Sequence, residues 1–382
     1  MTKGESNPNE YSSTLEDGIG ICLSGGGYRA MLYHVGALWR LNEVGLLTKA
    51  DRISSVSGGS ITAGWLGLVW ARESWPTDGT PIDEKSFCEK FANPILDLAG
   101  RWIDVPCVLA GVLPWTSVGE QVAKCYNQIL FQGATLQSLP DRPRFVINAS
   151  NLQTGLLWRF SKPYFGDYLA GRIVNPNLDL ATAVAASSAF PPFLSPLRLR
   201  LEGRQLEAWP GMEGNEASLC RRPFSTKPIL SDGGVYDNLG METVWKRYRT
   251  VLVSDGGGRF KATAKVRGNW PMQMYRVLCC IDNQVRSLRK RQLIESFEDG
   301  RRNGCYWGIA TSPEAYSTLP LPCKESVAKG LAGISTRLWS IDIEKRKALV
   351  NWGYASCAAS LATNFTDSGA APSWPYADAA LA

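Results

Sequence analysis

The stretches GIGICLSGGGYRA (residues 18–30) and RISSVSGGS (residues 52–60) decide how this chain folds. In the first, an apolar run of strand length stops at a glycine cluster that neither a strand nor a helix interior would favour. Leu32, Val35, Leu38 and Leu41 then recur at near-helical spacing, and Gly45 supplies a stop. The second stretch repeats the pattern. A strand from Arg52 to Val56 meets the turn Ser57-Gly58-Gly59, and a helix runs on to about Arg72. Strand, glycine turn and helix, twice over, make a βαβα unit, which predicts an α/β fold with a parallel sheet covered by helices.

Outward from this unit, strands are expected at 144–150, 156–161, 228–231 and 250–254. A long helix is expected at 272–299, a short strand near 306–309 and a last helix near 340–362. Residues 76–143 carry helical pieces and several prolines and are expected to cap a site. The polar, irregular stretch 201–227 reads as a surface insertion. Residues 1–16 read as a flexible N-terminal tail and 363–382 as a frayed C-terminal tail. No linker or shift in composition divides 17–362, so a single domain is expected there.

Composition excludes several classes. With 45% hydrophobic and 20% charged residues, the chain is neither disordered nor collagen-like. Its formal charge of +6 is mild, and no nucleic-acid motif is present, so no nucleic-acid partner is expected. The N-terminal stretch has no apolar core of a secretory signal, and no run reaches the ~18 apolar residues of a membrane span. The ten cysteines form no CxxC pair, which fits reduced thiols and a cytoplasmic location. One histidine in the whole chain argues against a zinc site, and no metal or other cofactor is expected.

Serine attacks esters only when the fold presents its hydroxyl, a base takes its proton and donors receive the oxyanion. A sharp strand-to-helix turn flanked by small residues does the presenting. Ser55-Val56-Ser57-Gly58-Gly59 has that form, with Ser55 where G-x-S-x-G has glycine, so Ser57 is the candidate nucleophile. A flexible turn with an N-capping serine fits the same residues.

A Ser–acid–His order is excluded, because the one histidine, His34, precedes Ser57 and lies inside the first helix. It reads as a packing or hydrogen-bonding residue. Two aspartates end apolar runs and precede glycines, Asp232 and Asp255, and either can face Ser57 from a strand end. The loop Gly25-Gly26-Gly27 has backbone N–H groups unshielded by side chains. Together with the N–H of Gly58 it is a candidate oxyanion hole. Arg29 can position this loop, attract a phosphate headgroup or pair on the surface. The same loop also matches the dinucleotide fingerprint G-x-G-x-x-A. That reading needs an acid at the end of the second strand, where Ser57 stands instead.

With these pieces in order, the chain resembles the patatin-like phospholipases over about residues 17–360. GGGYRA (25–30) is similar to the family's GGGxRG, with Ala30 for the last glycine. SVSGG (55–59) is similar to GxSxG, and SDGGVYDN (231–238) to the block holding the family's aspartate. AVAASSAFPPF (183–193) resembles a further block beside the dyad. The resemblance implies a three-layer α/β/α fold with a mostly parallel sheet and a Ser57–Asp232 dyad. It implies oxyanion stabilisation by Gly25, Gly26, Gly27 and Gly58, and an acyl-enzyme mechanism without a metal. It also implies membrane phospholipid or other acyl-ester lipid as substrate, and peripheral association with a membrane surface. A fold that binds lipid or a partner without turnover is the competing expectation.

Overall fold

The computed structural model describes residues 14–103, 107, 117–201, 203–216, 218–258, 260, 262–365 and 370–382. Most of the expected N-terminal tail, and part of the 76–143 segment, lie outside these residues.

Among the described residues, ten strands share one sheet. β1 (Glu16–Leu23), β2 (Arg52–Val56), β3 (Arg144–Asn151), β9 (Tyr248–Asp255) and β10 (Asn303–Gly308) run parallel in the order β10-β9-β1-β2-β3. Beyond β3 the sheet continues as an antiparallel meander of β4 (Leu157–Phe160), β5 (Tyr164–Asp167) and β6 (Gly171–Val174). β7 (Leu197–Arg198) and β8 (Ile229–Asp232) add a second antiparallel arm. The longer helices are α1 (Gly27–Glu43), α2 (Gly58–Glu73), α3 (Val118–Tyr126), α4 (Leu180–Ser187), α5 (Trp270–Glu298) and α6 (Ile343–Asn364).

The period-two alternation of the central strands divides the interior in two. Ile21, Leu23, Ile53 and Leu252 point into a large core with α1, α2 and α6, whereas Cys22, Val251 and Val253 point to a smaller one. Leu239, Met241, Val244 and Leu293 of α5 close that second side. The result is a three-layer α/β/α arrangement. α1 is buried at every position but Glu43, because the sheet lies on one side of it and α6 on the other. Gly36 and Gly353 let the backbones of α1 and α6 touch, since a Cβ on either would collide with the opposite main chain.

Residues 370–382 are not a frayed end. Asn351 of α6 donates to the carbonyls of Tyr376 and Ala379, 2.8 Å each, and Leu381 is buried. A buried asparagine and an apolar anchor fix this segment, a signal that its Ala- and Pro-rich composition hides. The irregular stretch 201–227 is likewise anchored, with Leu206 and Trp209 buried. Among the described residues, no helix is long and apolar enough to cross a membrane.

Candidate active site

β2 ends at Val56, and the chain must reverse into α2 within one residue. Ser57 makes that turn with φ 52° and ψ −120°, a backbone state that L-residues rarely adopt. Such a conformation costs on the order of 1–3 kcal/mol and persists only when its surroundings dictate it. Here they do. The Ser57 N–H donates to Ser187 Oγ (3.0 Å), and its carbonyl accepts from the N–H of Ser60 (2.8 Å) and Ile61 (3.2 Å). Ser187 in turn donates to the Asn148 carbonyl (2.6 Å), which ties the elbow to β3. Ser55 fits where the motif has glycine: it is fully buried, and its Oγ accepts from Ser60 Oγ (3.0 Å).

Asp232 reaches the same spot from the opposite direction. In a sheet that is parallel at its centre, as expected, β8 runs antiparallel to β3. On one edge of β3, Val56 pairs with Asn148 and Asp232 pairs with the next residue, Ala149. β2 and β8 therefore meet head to head, and their ends bring Ser57 and Asp232 together. The Asp232 N–H donates to the Ala189 carbonyl (2.9 Å), and Oδ1 accepts the Gly234 N–H (2.7 Å). Burial drives the carboxyl pKa up to about 7, against the opposing pull of the Gly234 N–H and the Ser57 hydroxyl; the charge of Asp282 adds to the rise. Asp232 Oδ2 is buried and has no hydrogen-bond partner among the described residues. Catalytic hydrogen bonds are often long before substrate binds.

Asp255, the other candidate base, is differently placed. Burial would raise its pKa, but a two-pronged pair with Arg286 (2.9 Å to each oxygen) and the Tyr306 hydroxyl (2.7 Å) hold it at about 2. It is a structural anchor that is ionised at neutral pH. His34 is fully buried between Ser254 Oγ (2.8 Å) and the Ser24 carbonyl (2.9 Å). Burial lowers its pKa to about 4, so the ring is neutral. The Ser24 carbonyl can only accept, so Nε2 carries the proton and Nδ1 accepts from Ser254. As expected from its place inside the helix, it binds the loop and does not serve Ser57.

The glycine loop lies against the elbow. Gly27 has φ 59°, and a Cβ there would strike the Thr336 carbonyl; one on Gly58 would strike the Gly27 carbonyl. Gly26 and Gly27 border the cleft beside Ser57 and Asp232. Gly25 does not offer the donor expected of it, because its N–H is given to the Asn238 carbonyl (3.0 Å). Its contribution is room, since Asn238 Oδ1 occupies the space of a side chain. Ala30 is accepted in place of glycine because Gly256 faces it.

Arg29 is buried rather than paired on the surface. It donates to the carbonyls of Ala332 and Ile334 (2.8 Å each) and Gly256 (2.9 Å), tying the start of α1 to two loops beside the cleft.

The cleft over Ser57 and Asp232 has a volume of about 400 Å³. Phe190, Phe260, Tyr275 and Ile334 give it apolar walls, and Arg276 and Asp282 add charge. Beyond the glycine loop, the elbow and the Asp232 turn, much of its lining comes from α5 and residues 332–336, with none from the described part of 76–143. In that part, Phe87, Phe91 and Ile95 are buried in the main core.

Two positioning residues were not read from sequence. Ser187 lies in the AVAASSAFPPF block without a distinguishing pattern of its own. Asn238 ends SDGGVYDN and acts through its backbone carbonyl, which no side-chain motif reveals.

Comparison with known proteins places these features. A 62-residue stretch is 40% identical to the putative meiotic phospholipase SPO1 of Saccharomyces cerevisiae, covering 16% of this chain and 10% of that protein. Among solved structures, human GIVD cytosolic phospholipase A2 is similar at 13% identity and TM-score 0.48, over 91% of this chain and 61% of that one. VipD from Legionella pneumophila is similar at 14% identity and TM-score 0.36, over 92% of this chain and 68% of that one. The family model for patatin-like phospholipase matches residues 21–245, which hold the glycine loop, the Ser57 elbow and Asp232. By that match over more than half its length, the chain belongs to the patatin-like phospholipase family.

Proposed function

We propose that this protein is a lipid acyl hydrolase that cleaves fatty-acyl esters of phospholipid or related lipids through a Ser57–Asp232 dyad. The observation that carries the reading is a strained serine beside a buried carboxyl with a pKa of about 7. A carboxyl so tuned is half ionised near neutral pH and serves both as base and as acid. α1 begins at Gly27 and α2 at Gly58, so the positive ends of two helix dipoles meet where negative charge would develop.

In this mechanism Ser57 Oγ attacks the ester carbonyl carbon and its proton passes to Asp232. The N–H groups of Gly26, Gly27 and Gly58 receive the oxyanion. The tetrahedral intermediate collapses, and the leaving alcohol takes the proton from Asp232. Water then attacks the acyl-enzyme and gives a proton to Asp232. As the acyl–Ser57 bond breaks, that proton returns to Ser57 Oγ and the fatty acid departs. No step calls for a metal. The aromatic walls of the cleft suit an acyl chain, and the substrate implies work at a membrane surface.

Release of fatty acid from phosphatidylcholine or phosphatidylglycerol vesicles tests the reading. Ser57→Ala is expected to reduce the rate at least about 10³-fold with unfolding behaviour unchanged. Undiminished hydrolysis by that variant would refute the assignment.

A further inference from the structure

α5 is a helix of 29 residues in which only Leu293 and Ser296 are buried. At 1.5 Å per residue it is about 40 Å long, and among the described residues no layer covers most of that length. Trp270, Met274, Val277, Ile281 and Leu288 recur at spacings of four, three, four and seven, which puts them on one side. All five are exposed, Trp270 to 74% and Ile281 to 53%. The opposite side carries Tyr275, Cys279, Asp282 and Asn283, which wall the cleft over Ser57. One helix thus separates the cleft from an unpartnered apolar stripe.

Charge decides what covers that stripe. Between Asp255 and Asp282 the chain carries five basic residues, Arg259, Lys261, Lys265, Arg267 and Arg276, and no acid. Lys265 and Arg267 are exposed just before Trp270. A two-fold contact with a second copy would bring this basic stretch close to its own image. An anionic lipid surface matches it: apolar residues enter the acyl boundary, tryptophan sits at the interface and basic side chains meet the headgroups.

We propose that the exposed face of α5, with Lys265 and Arg267, is the surface by which this protein docks on an anionic phospholipid bilayer. The inference rests on the proposed lipid hydrolysis. Docking there seats the bilayer about one helix diameter, roughly 10 Å, from the cleft, within reach of an acyl chain.

The test is co-sedimentation of the full chain with vesicles of phosphatidylcholine alone or mixed with phosphatidylglycerol, beside hydrolysis of a soluble short-chain ester. Wild type is expected to prefer the mixed vesicles and to be released by salt. The pair Lys265→Glu and Arg267→Glu, and separately the pair Trp270→Ser and Ile281→Ser, should each weaken vesicle binding at least about tenfold. Hydrolysis of the soluble ester should stay within about twofold, which also verifies folding. Unchanged vesicle binding by both pairs would overturn the proposal, as would a wild-type dimer that both pairs convert to monomers. The two readings fail separately. If the helix variants bind normally while soluble-ester hydrolysis depends on Ser57, the docking surface alone is wrong. If α5 governs binding but Ser57→Ala still hydrolyses, the catalytic assignment alone is wrong.

Discussion

Asp232 and Asp255 have the same local sequence, an apolar strand followed by glycines, and opposite chemistry. Burial lifts Asp232 to about 7, above the ~3.9 of an unfolded chain. The native state therefore holds this proton more tightly, and the stability it contributes is full below pH ~3.9 and lost as pH rises through about 7. Asp255 has the reverse sign: held at about 2, it contributes stability above pH ~3.9 that is lost as pH falls through about 2. Asp232→Asn is expected to abolish hydrolysis yet raise the unfolding midpoint at about pH 8, where wild type buries an unpaired carboxylate. Asp255→Asn is expected to lower stability by about 3 kcal/mol at neutral pH, because Arg286 then loses its carboxylate partner. Denaturant titrations and ester assays on both variants check this. The sequence could not separate the two aspartates, because Arg286 and Tyr306, which decide the matter, lie far along the chain from Asp255.

At the scale of elements, the site is a meeting of ends. β2 and β8 point at each other along one edge of β3, and the C-terminal turn of α4 locks the join. Ser187 Oγ accepts from Ser57, lies 2.8 Å from Ser60 Oγ and donates to Asn148, while its carbonyl takes the Gly233 N–H. As a positioning residue it should act on the chemical step. Ser187→Ala is expected to lower kcat roughly tenfold or more with KM little changed, and stability by about 1–3 kcal/mol. Steady-state kinetics with a soluble ester, normalised to active sites titrated with a fluorophosphonate, separate this from a general loss of folded enzyme, which lowers the titrated fraction and leaves kcat per active site intact. The two βα units and the glycine turns were legible because their periodicity and punctuation agree. The direction of β8 was not, since a four-residue strand has no signature of orientation. β5 and β6 escaped notice for a related reason: each spans four residues and contains a glycine.

Across the whole molecule, alternation in the central strands produces two cores of unequal size, and the thinner side leaves most of α5 uncovered. The helix was legible as an element. Its exposure was not, because a helix with apolar residues at helical spacing reads like any buried one until its neighbours are known. The anchoring of residues 370–382 is likewise a property of α6 and its Asn351. What sequence did reveal, the serine at a tight turn and the aspartate before two glycines, became one place only through the head-to-head strands. Fluorophosphonate labelling at a series of pH values, followed by peptide mapping, reads both the position and the tuning of that pair. The modified residue is expected to be Ser57, with a labelling rate that rises tenfold per pH unit and levels off above about 7. Modification of a different serine, or a rate at Ser57 indifferent to pH across that range, would contradict it.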